Sequence, residues 1–530
     1  MCWSGLARAA DDEADDLATH PAAMNPSPWK DLRLTLDGYL RMRADGFDDL
    51  DLSRGTTPTT GRPIFPTPAG GSGHYVSAAD MRVRLEPTLE IGQMVRMHLR
   101  VDLLDNTGWG STPDVAGSYS GQADATTTVL PPSAGVNSLY DSVRVKQAWG
   151  EVVLPFGTLS AGRLGGLVSW GTGMFVNNGD CIGCDHGDTG DGIALTVPVA
   201  SHWLSLIYEL SASGPSVDLG GQPISVEPRS HVNTYALAFA RYDSPEAQRR
   251  VLRGGQTLVQ YGLLASYRSQ EIDAPAWTQP GGYAHLAWAP SDFVQRDLWS
   301  VAGDLWLLVH HGGLRFEMEA AGVLGEIGDA TNSPGISLRA PVTLRQLGGL
   351  ASLAYAFSSP LRLRLEVGYA SADDAPGFGV RWPDGQLTAQ KGDLDGPHLR
   401  PPVEMSIDNF RFHPDYHVDL ILWRRIIGQI SDAIYVRPSV RVGPFGAPYH
   451  NISFEAALIT SNAIYQQNAP GQANYLGTEL DVSAHYRYEP AFDVYLAWGL
   501  LLPGAGFRNV AAGIDPSAAQ TFELILAYRL

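Results

Sequence analysis

Cysteine is scarce in this chain, three in 530 residues, which excludes a scaffold built on disulfides. Long apolar runs are missing too. No stretch reaches the roughly 18 apolar residues that a spanning helix needs, and mean hydropathy is only -0.09, so a helical membrane protein is excluded. Positive charge is in deficit: 37 Lys and Arg stand against 56 Asp and Glu, for a net charge of -19. A nucleic-acid partner, which requires a clustered basic face, is therefore excluded. Interdomain linkers are absent, although the chain far exceeds the roughly 100–200 residues of a usual soluble domain. No GxSxG, HExxH, P-loop or dinucleotide fingerprint stands in a fitting context, and the paired His310 and His311 read as a tight turn, so the chain is not expected to be an enzyme.

What is present is period-two alternation. In "LRLTLDGYLRMR" (32–43), Leu32, Leu34, Leu36, Leu40 and Met42 alternate with Arg33, Asp37, Arg41 and Arg43. Successive side chains of a strand leave opposite faces, so each such strand meets two different solvents. The pattern returns in "DMRVRLEPTLEI" (80–91), then after a short turn in "MVRMHLRVDLL" (94–104), and continues to "AQTFELILAYRL" (519–530). About 18 segments of barrel-strand length result, with 16 as the alternative count. Their connections alternate between short turns and long Gly/Pro/Ser/Asp-rich loops, and aromatics such as Tyr39, Trp149, Tyr267, Trp299 and Tyr528 recur near strand ends. Sorted loops and aromatic girdles are features of a bacterial outer-membrane barrel.

The expected architecture is therefore all-β: one antiparallel up-and-down transmembrane barrel over residues 31–530, with short periplasmic turns and long extracellular loops. An even strand count requires "HPDYHVDLILWRRIIG" (413–428) to belong to a long insert at about 373–433 rather than to the wall. Within it, Val418, Leu422 and Ile426 suit one helical face, and the alternation of Val418, Leu420 and Leu422 suits a strand equally. Residues 1–30 contain Ala7-Arg8-Ala9 before an acidic stretch and read either as a signal-peptide remnant or as a flexible periplasmic leader.

Two stretches go beyond general barrel pattern. "PFGTLSAGR" (155–163) resembles the short turn and following strand of general bacterial porins. Residues 170–193 together with 409–428 resemble an uncharacterised family of predicted outer-membrane β-barrel proteins of myxobacteria and relatives. The resemblance implies a bacterial outer-membrane location and no particular activity. The terminal "FELILAYRL" resembles the strand signal read by outer-membrane assembly machinery, though it ends in Leu530 where an aromatic is usual.

These readings make the chain a porin-like channel for passive diffusion of small polar or charged solutes. A plugged, non-conducting barrel serving as surface anchor or assembly partner is the alternative. The partners implied are the lipid bilayer, the assembly machinery and small polar solutes, and the oligomeric state stays open. The loop after the fifth strand, from which general porins fold a segment into the pore, carries Asp180, Asp185, Asp188 and Asp191, the expected constriction. Facing it, Arg33, Arg41, Arg43, Arg82, Arg84, Arg96, Arg100, Arg144 and Lys146 form a basic lumen wall. Such an arrangement either sets a transverse field across the pore or pairs its charges across strands as polar filling. Cys181 and Cys184 suit a small disulfide in an oxidising compartment. The loop carboxylates leave Ca²⁺ binding open, and zinc on the two cysteines and His186 lacks a fourth ligand. No cofactor is otherwise expected.

Overall fold

A computed structural model of the chain describes residues 32–56, 64–65, 74–109, 143–214, 216–218, 223–225, 228–273, 294–329, 341–357, 360–373, 405–445, 451–488 and 491–530. Eighteen strands form the wall. They are β1 Leu32–Asp48, β2 Tyr75–Ile91, β3 Val95–Gly108, β4 Val143–Leu154, β5 Gly157–Gly165 and β6 Thr189–Val199. Next come β7 His202–Ala212, β8 Val232–Arg241, β9 Leu258–Asp273, β10 Val294–His311, β11 Leu314–Ile327 and β12 Val342–Ala356. The last six are β13 Leu361–Ala370, β14 Ala433–Val442, β15 Ile452–Ala463, β16 Tyr475–Tyr488, β17 Phe492–Pro503 and β18 Ala519–Arg529. Each pairs antiparallel with its sequence neighbours, and β18 returns to β1, so the sheet is a closed barrel. Closure leaves no sheet edge in hydrocarbon, where each unpaired backbone group would cost several kcal/mol. The leader region 1–30 and most of the insert before residue 405 lie outside the described residues.

Alternation decides which solvent each face meets. Leu34, Leu206, Leu237, Leu347 and Leu496 are exposed on the outside, whereas Arg41, Arg43, Arg82 and Asp102 on alternate positions are buried inside. Aromatic girdles follow. Tyr208, Tyr235 and Tyr267 lie side by side in register on β7, β8 and β9, and Tyr355, Phe357, Tyr488 and Tyr528 are exposed at the opposite end. Two of the expected girdle residues face inward instead. Tyr39 is buried beneath the Arg84 guanidinium, 5.6 Å from its ring centroid, and Trp149 stacks on His98. Both sit at inward positions of their strands, and parity overrides the preference for headgroups.

Nine long connections lie at one end of the barrel and eight turns at the other. One turn, between β8 and β9, is longer and holds the helix Pro245–Arg253, capped by the Ser244 hydroxyl, which accepts from the Ala247 amide. The seam between β1 and β18 pairs Tyr39–Asp48 with Arg529–Gln520 and ends where the Leu530 amide donates to Gly38 O, while Leu32–Asp37 pair only with β2 among the described residues.

The main apolar core lies inside the barrel, at the long-loop end. It joins Phe47, Leu50 and Leu52 to Met174 and to Phe410, Phe412, Ile421, Trp423 and Ile430 of the insert. The insert is thus lumen filling. Its residues 413–428 form neither a helix of several turns nor a strand; they run irregularly into a single π-helical turn, Leu422–Ile427, ended by Gly428 in the left-handed region. Ser406–Ile407 add a short parallel strand beside β12.

Lumen-facing glycines make room for this filling. A Cβ on Gly348 would lie 2.1 Å from the Phe410 ring, and one on Gly262 would lie 2.4 Å from the Trp170 ring. Gly348→Val should therefore unseat Phe410 and loosen the insert without breaking the wall, because overpacking costs typically 1–3 kcal/mol. Faster hydrogen exchange at 408–412, with the folded-barrel gel mobility kept, is the expected outcome; unchanged exchange would contradict it.

Candidate functional site

The lumen is occupied by two segments, the loop 166–188 between β5 and β6, here called L3, and the insert 405–432. L3 crosses the barrel. On one side its backbone carbonyls and carboxylates meet the guanidiniums of β1 to β3. Arg84 donates to Gly179 O at 2.7 Å, Arg82 to Cys184 O at 2.6 Å, Arg41 to Ile182 O at 3.1 Å and Arg100 to Asn178 O at 3.0 Å. On the other side it offers donors to an acid wall: the Thr172 amide and hydroxyl and the Phe175 amide donate to Glu319 of β11, and Trp170 stacks on Trp306 of β10. L3 is therefore matched to the charge of the wall it faces at each end.

Asp185 is the centre of the basic contact. Its carboxylate accepts from Arg43 at 2.7 Å, and from Arg41 and Arg82 at 3.1 Å each. Asp80 of β2 bridges Arg41 and Arg43, at 2.7 and 2.8 Å. Asp102 accepts from Nε and Nη2 of Arg84, and Asp105 accepts from Nε of Arg82. Burial alone would raise the Asp185 carboxyl, but Arg43, Arg41 and Arg82 override it and hold it well below the usual carboxylate range.

The sequence-expected residues divide accordingly. Asp180 meets Arg100 at 2.7 Å. Asp188 braces L3 itself by accepting the Asn177 amide, and lies 3.6 Å from His413 of the insert. Asp191 is not in the loop. It sits on β6 on the same face as the exposed Ile193, pointing outward, where it pairs with Arg163. The error has a physical cause: the ladder resumes at Thr189, so the Gly-rich run ends three residues earlier than its composition suggests.

Arg33 and Arg96 lie near the short-turn end, each beside Glu90 at 3.8 and 3.9 Å. Arg144 and Lys146 meet Asp105 at 3.6 and 2.9 Å. The basic wall and the acidic loop touch rather than face each other across solvent, so these charges are paired polar filling and not the electrodes of an open transverse field. Cys181 and Cys184 are disulfide-bonded and not free for zinc. Asp180, Asp185 and Asp188 point to three different partners and form no common oxygen cage.

The residues that hold the insert escaped the sequence reading. Glu479 of β16 accepts three consecutive amides, those of Leu420, Ile421 and Leu422, at 2.8 to 3.0 Å. Asp419 accepts the Trp423 and Arg424 amides. Arg424 binds Glu523 of β18 with both terminal nitrogens, and Arg425 reaches both Glu523 and Asp45 of β1. Asp45 and Glu523 are direct partners across the β1–β18 seam. L3 and the insert are themselves joined: Asp415 accepts the amides of Asp185 and His186, and the His413 amide donates to Met174 O.

Beneath these segments lies a cavity of about 680 Å³. Asp180, Cys181 and Asp419 bound it above, Arg437, Glu455, Asp481, His485 and Arg487 line one side, and Asp493 and Arg529 flank its lower end toward the short turns.

No protein-family model and no curated protein matches the chain. Solved structures resemble it in fold. OccK9 (OpdG) of Pseudomonas aeruginosa is 13% identical with a TM-score of 0.49, the match covering 94% of this chain and 98% of that one. OpdK of Pseudomonas aeruginosa with vanillate is 9% identical with a TM-score of 0.45, over 94% and 99%. OmpT, an outer membrane protein of Vibrio cholerae, is 8% identical with a TM-score of 0.36, over 96% and 99%.

Proposed function

We propose that the chain is a channel of the bacterial outer membrane for passive diffusion of small polar or charged solutes, with its short turns on the periplasmic side. The observation that carries this is the charged cavity of about 680 Å³ running from beneath L3 toward the short-turn end. A packed structural barrel has no use for open space bordered by charge: Arg437 with Glu455 and Arg487 with Asp493 are paired along its wall, and Asp481 lines it beside them. Membership of the uncharacterised myxobacterial family belongs to the same proposal. It rests on residues 170–193 and 409–428, which contain most of L3 and the part of the insert that meets it.

Planar-bilayer recording of the purified chain tests the channel. Discrete conductance steps are expected; their absence at every voltage would sink it. A second reading, a barrel closed by a plug, is favoured by the latching of the insert at Glu479 and Glu523. Under that reading the intact protein is silent and steps appear only when the insert is released.

A further inference from the structure

Four segments meet at the long-loop end, apart from the cavity. Asp373 follows β13, residues 408–411 belong to the insert, Ser431 and Asp432 lead into β14, and Asn468 lies in the loop after β15. The Asn468 side-chain amide donates to the Asp373 carbonyl at 2.9 Å and to Asp432 Oδ2. Asp373 Oδ2 accepts the Asp408 amide at 2.9 Å, and the Asp432 carbonyl accepts the Ile464 amide at 3.1 Å. Asp373, Asp432 and Asn468 are all fully buried.

Two oxygens at this node are left over. Both neighbours of Asn468 Nδ2 are acceptors, which fixes the amide orientation and commits Oδ1 to the other side. That Oδ1 and Asp432 Oδ1 are both buried without a well-aligned hydrogen bond, although the Tyr465 and Ile464 amides approach the Asp432 carboxylate. Among the described residues no Lys, Arg or His forms an ion pair with Asp432. A buried carboxylate lacking a counter-charge is unfavourable unless a proton or a cation neutralises it. Buried oxygens without partners likewise point to an ion or water that completes them. Carboxylate and amide-carbonyl oxygens, with no nitrogen or sulfur among them, are the ligands that hard divalent cations select.

We propose that Asp432 and Asn468 hold a hard divalent cation, Ca²⁺ foremost, which clamps the base of the insert to the loop after β15. Backbone carbonyls and water complete the six to eight oxygens that Ca²⁺ takes. The cluster of Asp49, Asp51 and His74 has ligand spacing as well, but none of its side-chain oxygens is buried without a partner.

The test uses the full chain folded in detergent. The temperature at which the compact gel form is lost is measured in chelator and across a Ca²⁺ titration, and bound Ca²⁺ is counted by equilibrium dialysis. A rise of several degrees, half-saturating at about 10⁻⁴–10⁻³ M as in extracellular calcium modules, and one ion per chain are expected. Asp432→Asn should abolish the rise, Asn468→Ala should weaken it, and Asn468→Asp should move half-saturation to lower Ca²⁺. If Asp432→Asn does not fold, the two Asn468 variants carry the test. No Ca²⁺-dependent rise, which would leave a proton or water on these oxygens, overturns the proposal. So does a rise that persists in all three variants, or one that is lost only in Asp51→Asn.

Discussion

Replacing Asp185 by alanine should release L3 from the wall and move the pore's ion selectivity toward anions. The substitution leaves Arg41, Arg43 and Arg82 without the carboxylate on which all three converge. Removing one partner of a buried ionic cluster costs about 3–5 kcal/mol, because the remaining charge stays desolvated. Reversal potential in a salt gradient reads the selectivity, and thermal loss of the compact gel form reads the stability. Asp185→Asn keeps the shape and one acceptor oxygen, so it should show most of the selectivity change with a smaller loss of stability. Unchanged selectivity in both variants would mean that L3 does not lie in the ion path.

The same carboxylate fixes a pH dependence. Its pKa is depressed on docking, so its contribution is fully present above the undocked value, about 3.9 for Asp, and is lost only as pH falls through the docked value, well below that. Titration of Asp185 should then add nothing to the pH dependence of conductance and selectivity between about pH 7 and pH 5. A titration of selectivity in that window that disappears in Asp185→Asn would contradict the assignment.

Glu479→Ala should free the tip of the insert. Three consecutive buried amides lose Glu479 as acceptor at once, at about 1–3 kcal/mol for each N–H left without a partner. Trypsin should then cut after Arg424 or Arg425, which are shielded in the intact chain, and single-channel conductance should rise several-fold if the insert narrows the path. Glu479→Gln, which keeps one acceptor oxygen, should lie between. A variant that resists trypsin and conducts as the parent does would show that the insert is held by its apolar contacts at Trp423 and Ile421 instead.

The wall was legible because a single strand states its rule. In β1, Leu34 and Leu36 outside and Arg41 and Arg43 inside follow from parity alone, and each later strand repeats it. The position of L3 and its bonded cysteines followed from the loop's place and composition. What failed was contact between remote segments. Nothing in "TELDVSAHYRY" marks Glu479 as an acceptor for the insert, since an inward acid on an alternating strand looks like any other lumen charge. The one available signal was an acid at an inward position with no basic residue opposite it on the next strand. Glu479 faces Leu501, and Glu523 faces Asp45. The insert's own shape was illegible because its π-helical turn is set by Glu479 and Asp419 rather than by the periodicity of residues 418–426.

The opposition of Asp45 and Glu523 bears on how the molecule assembles. The seam joins the first strand to the last, the longest-range strand pairing among the described residues, so it forms only after the last strand has been made. When it forms, two acids arrive directly opposite each other, an arrangement that repels. The positive charges that reconcile them come from Arg424 and Arg425 of the insert, with Arg43 of β1 beside Asp45. Those arginines act as a keystone: in the closed ring the last joint is held from within, by charges that the wall's own seam strands supply only in part.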